Sequence, residues 1–273
     1  ASDGVNILNK NIQWAVQNDL HIFTTADKVD LKAYYALENN YDNKIAGAPN
    51  GPSGQTFGTN YGHKVGSYGM RLNNKHAITF TSNYILDYTW PKSWCMWIKN
   101  SATVNTSLTA YFITRGRTTS NYNMHVGFGV SGGEWAAHSY NTTAKSGVTI
   151  DNDWHYVCCQ MAHNWDSSGG NTGSTHGYVM WVDGVMVLNH TTNLSGTFDG
   201  TAFTNSGPAL AGNNLATNDI DFGGFQTSVG ATNATWDGYI DEIGLWNRIL
   251  TETEINTFYG AGVGSYYDST YIA

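Results

Sequence analysis

Short runs of aromatic and β-branched residues, each closed by Gly, Asn, Asp or Ser, recur along the whole chain. They are LKAYYALEN (31–39), HAITFTSNYIL (76–86), SWCMWIKN (93–100), AYFITRG (110–116), NMHVGFGV (123–130), EWAAHSY (134–140), WHYVCCQMA (154–162), GYVMWVDGVMVLN (177–189), DIDFGGF (219–225) and GYIDEIGLWN (238–247). Runs of this length and chemistry, with turn residues between them, read as strands of a sandwich or barrel. Asp183-Gly184 inside VMWVDGVMV is the sharpest turn signal, since an Asp-Gly pair between two apolar runs suits a type I′ hairpin.

One helix interrupts the strands, near the end. In LTETEINTFYG, Thr251 stands at an N-cap position with Glu254 three residues on, the pattern of a capping box. Ile255, Phe258 and Tyr259 share a face and Gly260 follows as a left-handed C-cap, so a helix of about two turns is expected to dock on the sandwich.

Composition narrows the function. Charged residues make up 12% of the 273, Gly numbers 31 and aromatics reach 14%, so neutral polar groups do most of the solubilising. The formal net charge is −8 and no Lys/Arg cluster could neutralise a row of phosphates, which argues against nucleic acid. The longest apolar runs are broken, as at Asp183-Gly184, and fall short of a membrane span. There is no initiating Met and no signal peptide, so a mature or excised part of something longer is expected.

Of Cys95, Cys158 and Cys159, a disulfide can join Cys95 to either neighbour, while buried reduced thiols are the expected state. In a strand, Cys158 and Cys159 face opposite sides of the sheet. Five Asn-x-Ser/Thr sequons start at Asn105, Asn141, Asn189, Asn193 and Asn233, a number an Asn- and Thr-rich chain also reaches by chance.

Five motifs in order resemble the laminin G-like branch of the concanavalin A-type lectin and glucanase family, in its bacterial and viral form. They are LKAYYALENNYDNKIAG (31–47) with GHKVGSYGMRLNNKHAITF (62–80), SWCMWIKN, DWHYVCCQM (153–161), VDGV (182–185) and YIDEIGLWNRILTETEINTFY (239–259). The resemblance implies an all-β fold, a two-sheet antiparallel jelly-roll sandwich with one short C-terminal helix. Its expected limits are residues 28–262, with an N-terminal arm at 1–27 and a tail at 263–273. The first acidic-turn strand is expected to pair with the last strand, placing Tyr35 near Ile243.

The resemblance also implies a structural calcium ion, held by Asp241 with Glu38 and Asp42 and backbone oxygens near Ser67. Glu38 stands where the family usually has Asp. The alternative is that Asp241 and Glu242 hydrogen-bond the backbone. For ligand, the expected partner is a carbohydrate or glycoconjugate. Alternation in GGEWAAHSYN sends Trp135, Ala137 and Ser139 to the core and leaves His138 and Tyr140 on the solvent side. Trp165 and His163 lie within the long polar loop HNWDSSGG, where an exposed ring could stack on a sugar. Trp97, Trp154, Trp181 and Trp246 are assigned to the core.

No Glu-x-Asp-x-x-Glu run, nucleophile elbow or phosphate loop is present, so the chain is read as non-catalytic. The expected role is recognition or adhesion in an extracellular, cell-surface or virion protein. A structural decoration or spacer domain of a phage or viral particle, contacting neighbouring chains, is the alternative. A polysaccharide-active hydrolase or lyase stands third.

Overall fold

The computed structural model describes residues 20–40, 42, 44–45, 57–58, 63–73, 78–80, 92–101, 110–115, 126–139, 142–164, 175–192, 220–223, 225–228, 231–233 and 236–267. In chain order the strands are β1 (His21–Ile22), β2 (Leu31–Tyr35), β3 (Phe57–Gly58), β4 (Gly69–Asn73), β5 (Ile78–Phe80), β6 (Lys92–Asn100), β7 (Ala110–Arg115), β8 (Val126–Ser131) and β9 (Glu134–Ser139). There follow β10 (Thr142–Thr149), β11 (His155–Asn164), β12 (Thr175–Val182), β13 (Val185–Thr192), β14 (Ile220–Phe222), β15 (Phe225–Ser228), β16 (Ala231–Asn233), β17 (Asp237–Trp246) and β18 (Ser265–Tyr266). Helix α1 (Glu252–Tyr259) lies between β17 and β18.

Two sheets form the sandwich. An eight-stranded sheet runs β13-β12-β11-β6-β17-β4-β3, with β2 also paired to β17, and a six-stranded sheet runs β10-β9-β8-β7-β14-β5. Strand alternation explains the layers. From the eight-stranded sheet, Trp94, Met96 and Ile98 of β6, Val157 and Cys159 of β11, and Ile240 of β17 face inward against Phe128, Val130, Trp135 and Ala137 of β8 and β9. The expected inward set of β9 is thus found at Trp135 and Ala137.

Alternate residues of the same strands build a second core on the far side. Cys95, Trp97, Tyr156, Cys158, Trp181 and Trp246 lie there under Ile255 and Phe258 of α1, with Leu20 and Phe23 alongside. The eight-stranded sheet is therefore buried on both faces over much of its area. The Phe258 ring stacks on Trp246 at 5.3 Å and on Phe23 at 4.7 Å. Burying a side chain of that size stabilises by roughly 1.5–3 kcal/mol, which explains how so short a helix holds its place.

The helix ends as its sequence dictates. Thr251 caps Glu254 N–H, the Glu254 side chain accepts from Thr251 N–H, and Gly260 takes a left-handed φ of 57°. Arg248 clamps Glu254 through both carboxylate oxygens, at 3.0 and 2.6 Å. The approach to the helix is fixed by buried Gln160, which donates to the Leu250 carbonyl at 2.7 Å and accepts from Trp181 Nε1 at 2.9 Å. The β12–β13 turn has positive φ at both Asp183 (52°) and Gly184 (78°), as a type I′ hairpin requires.

Tyr35 pairs directly with Ile243 across β2 and β17, so the seam between the opening and closing strands is in place. The described parts of the expected arm and tail, residues 20–27 and 263–267, meet at its flank. β1 pairs in parallel with β18, and Leu20, Phe23, Asp27 and Ser265 are all buried. Residues 20–27 and 263–267 are thus packed parts of the sandwich.

The thiols differ from expectation. Cys95 and Cys158 oppose one another in the β6–β11 register with Cα atoms 4.0 Å apart, and they are joined as a disulfide, while Cys159 stays free and buried on the other face. A direct cross-strand position brings the two sulfurs together without any loop movement, which is why the reduced pair expected from sequence gives way.

Candidate functional site

The outer side of the six-stranded sheet is set by elimination. With Phe128, Val130, Trp135 and Ala137 turned inward, the remaining positions of β8 and β9 fall on the opposite side. One line of cross-strand partners then crosses all six strands: Thr143, His138, Gly127, Thr114, Asp221 and Thr79. Every position on it is polar or Gly. His138, expected at a ligand site, is the second position of this line by backbone register. Tyr140 and Trp165 lie outside the described residues. His163 pairs with His176 near the end of β11, on the other sheet.

The second cluster lies at the seam. After β2 the chain turns through left-handed Leu37 (φ 56°) and Asn39 (φ 60°), which aims Glu38 at the 63–68 turn. There its carboxylate accepts from Ser67 N–H at 2.9 Å and Tyr68 N–H at 3.4 Å. Gly66 is required at this turn, because its φ is +75° and a Cβ would overlap the Glu38 carboxylate.

Asp241 accepts from Lys64 N–H at 2.8 Å, Val65 N–H at 3.0 Å and Glu242 N–H at 3.1 Å. Glu242 takes a left-handed φ of 49° where the β6–β17 register slips, and its carboxylate accepts from the Tyr34 hydroxyl. Burial pushes the Asp241 and Glu242 carboxyls well above the usual carboxylate range, and the charges of Glu38 and of each other add to the rise at Glu242. Glu38 is raised too, chiefly by burial and against the pull of its backbone bonds.

Calcium needs six to eight free oxygens. Here Asp241 and Glu38 already accept five backbone N–H contacts. Asp42 is exposed and its N–H bonds Asn40 Oδ1 at 3.1 Å. Among the described residues no group of three or more His, Cys, Asp or Glu side chains is gathered for a metal. As arranged, Asp241 and Glu38 are bonded to backbone N–H groups rather than gathered with further oxygens around a cation. The node instead straps the 63–68 turn and the end of β2 to β17. Beside Glu242, a cleft lined by Tyr34, Trp97, Tyr156 and Ser265 admits about one water and no sugar.

A third cluster fixes the hairpin. His155 bonds Asp183 Oδ2 at 2.7 Å and Asp151 Oδ1 at 2.8 Å through its two ring nitrogens, and Asp183 also accepts from Tyr156 N–H at 2.9 Å. Burial alone lowers the imidazole pKa, but the bonds to both aspartates outweigh it and hold His155 above its ordinary value.

One residue expected in the core is not sealed there. Trp154 is half-buried at the rim of the second core, with its ring 6.5 Å from Tyr239. Its place just before β11, beside exposed Asp151, Asn152 and Asp153, was the available signal.

No family model matches the chain, and no curated protein sequence matches it. Among solved structures, domain 4 of AbnA, a GH43 extracellular arabinanase from Geobacillus stearothermophilus in complex with arabinotriose, aligns with 83% of this chain and 97% of its own length, with a TM-score of 0.53 and 14% identity. The Ruminococcus gnavus IT-sialidase CBM40 bound to alpha2,3 sialyllactose covers 69% of this chain and 94% of its own, with a TM-score of 0.47 and 11% identity. A Trypanosoma rangeli sialidase in complex with the inhibitor DANA matches over 71% of this chain, which spans 28% of that enzyme, with a TM-score of 0.45. The arabinanase domain shows the β-sandwich fold; the likeness does not reach down to the laminin G-like family within it.

Proposed function

We propose that this chain is a non-catalytic carbohydrate-recognition module of an extracellular or surface protein, with its ligand laid across the outer side of the six-stranded sheet. The observation that carries this reading is the line from Thr143 through His138 and Gly127 to Thr79, polar at every side chain and spanning six strands. Residues of these types offer hydroxyl, imidazole and carboxylate partners for sugar hydroxyls. The arabinanase domain of similar fold is described with arabinotriose, which supports a short oligosaccharide as ligand. The Cys95–Cys158 disulfide supports an oxidising compartment. No helix among the described residues is long and apolar enough to cross a membrane.

Affinity electrophoresis against a panel of neutral polysaccharides tests the reading. Retardation by at least one polysaccharide, lost in a His138→Ala/Trp165→Ala double variant, is expected. No retardation, with a stable assembly burying more than about 1,000 Å2 of the chain, would replace it with the spacer role in a particle.

A further inference from the structure

The eight-stranded sheet carries a second line of side chains on its outer side, beyond the cover of α1. Arg71 of β4, Tyr239 of β17 and Lys99 of β6 are direct cross-strand partners. One step past the His155–Ile98 pair, the β6–β11 register puts Trp154 beside Lys99. Their neighbours Leu72, Ile240 and Ile98 point into the inter-sheet core, so these four point outward. All four are half-exposed, whereas Trp97 and Tyr156 on the next line are sealed in the second core.

The four form an aromatic ledge with a cation on each side of Tyr239. The Trp154 and Tyr239 rings meet at 6.5 Å and 52°, and the Arg71 guanidinium carbon lies 5.9 Å from the Tyr239 centroid. Basic groups are scarce here, 13 against 21 acidic ones, which makes two on one line informative. Arg71 Nη2 forms a loose ion pair with Asp237 Oδ1 at 3.6 Å, too far for a hydrogen bond, and its Nε is buried without a hydrogen-bond partner. Lys99 has no ion-pair partner among the described residues. Asp237 limits the local positive charge, so the ledge suits a ligand with separate carboxylates better than a dense polyanion.

Aromatic faces take the C–H side of a sugar ring, and a guanidinium fork matches a carboxylate. Strands lie about 4.8 Å apart, so Arg71 and Lys99, two strands apart, are separated by roughly 10 Å, more than one carboxylate bridges. We propose that Arg71, Tyr239, Lys99 and Trp154 form a binding site for a carboxylate-bearing oligosaccharide, on the opposite side of the molecule from the neutral-glycan line. A chain with both sites cross-links two glycans.

The test is calorimetric titration with trigalacturonate, with galactotriose as the neutral comparator and short-chain polyphosphate as the charge-only comparator. At the Arg71-dependent site trigalacturonate is expected to bind at least tenfold more tightly than either. Arg71→Gln and Tyr239→Ala are each expected to weaken it tenfold or more, Tyr239→Phe to preserve it, and Lys32→Gln, a cation elsewhere on the surface, to leave it unchanged. Binding indifferent to Arg71→Gln, equal binding of polyphosphate, galactotriose binding that Arg71→Gln weakens as much, or no heat at millimolar trigalacturonate overturns the proposal. Should Tyr239→Ala fail to fold, Arg71→Gln and Lys99→Gln, whose side chains are half-exposed, decide alone.

Discussion

Glu242 is where the alternation of β17 breaks. Strict period-two geometry would send it into the inter-sheet core beside Ile243; the left-handed backbone instead leaves its carboxyl on the Tyr34 side, where it accepts the phenol. Periodicity cannot foresee a non-glycine residue in that conformation, so the strand was legible and the node was not. Tyr34→Phe removes the donor and leaves a buried carboxyl without it. Urea unfolding is expected to show a loss of about 1–3 kcal/mol, and an unchanged midpoint would remove the node's structural role. Because backbone N–H groups already bond Asp241 and Glu38, EDTA is expected to leave the melting temperature unchanged; a clear drop restored by calcium would instead support the ion. His155 gives a pH signature. Its pKa in the fold stands above the ordinary 6.5, so the clamp's contribution is complete below pH 6.5 and is lost as pH rises through the raised value. Melting curves from pH 6 to 9 are expected to fall in the wild type, with a shallower slope in His155→Gln; parallel slopes would remove His155 as the cause.

At the scale of elements, local chemistry predicted most where it was self-sufficient. The capping box, the Gly260 cap and the Asp183-Gly184 turn depend on residues within a few positions of one another, and each is found. Thr251→Ala is therefore expected to cost about 1 kcal/mol in chemical denaturation, with no change expected if the cap were incidental. β10 went unread because TTAKSGVT, an exposed edge strand, has no apolar alternation to announce it. The disulfide was undecidable for a different reason. Either thiol of the Cys158-Cys159 pair could be assigned to Cys95 until the strand register and face were known. A Cys95→Ala/Cys158→Ala variant is expected to fold and to lose about 2–4 kcal/mol, since the closed loop of 63 residues regains freedom in the unfolded chain. A stability equal to wild type would mean that the neighbouring ladders alone set the register.

The molecule as a whole is one sheet shared by two cores and a second sheet that covers one of them. The pairing of Tyr35 with Ile243 was readable because the opening and closing motifs occur in order. The second core was less so, since its lid joins α1 to Leu20 and Phe23, residues 232 or more positions before Ile255. Sequence placed the ligand site on His138, Tyr140, His163 and Trp165, and of these the described structure positions only the backbones of His138 and His163, on different sheets. It missed the Arg71–Tyr239–Lys99–Trp154 line, which exists only once four distant strands are in register. The carbohydrate reading turns on where a ligand lies. Hydrogen–deuterium exchange with and without a retarding neutral oligosaccharide is expected to show new protection in Val126–Ser139, the β8–β9 hairpin; binding that leaves this segment unprotected while protecting another surface would contradict the assignment.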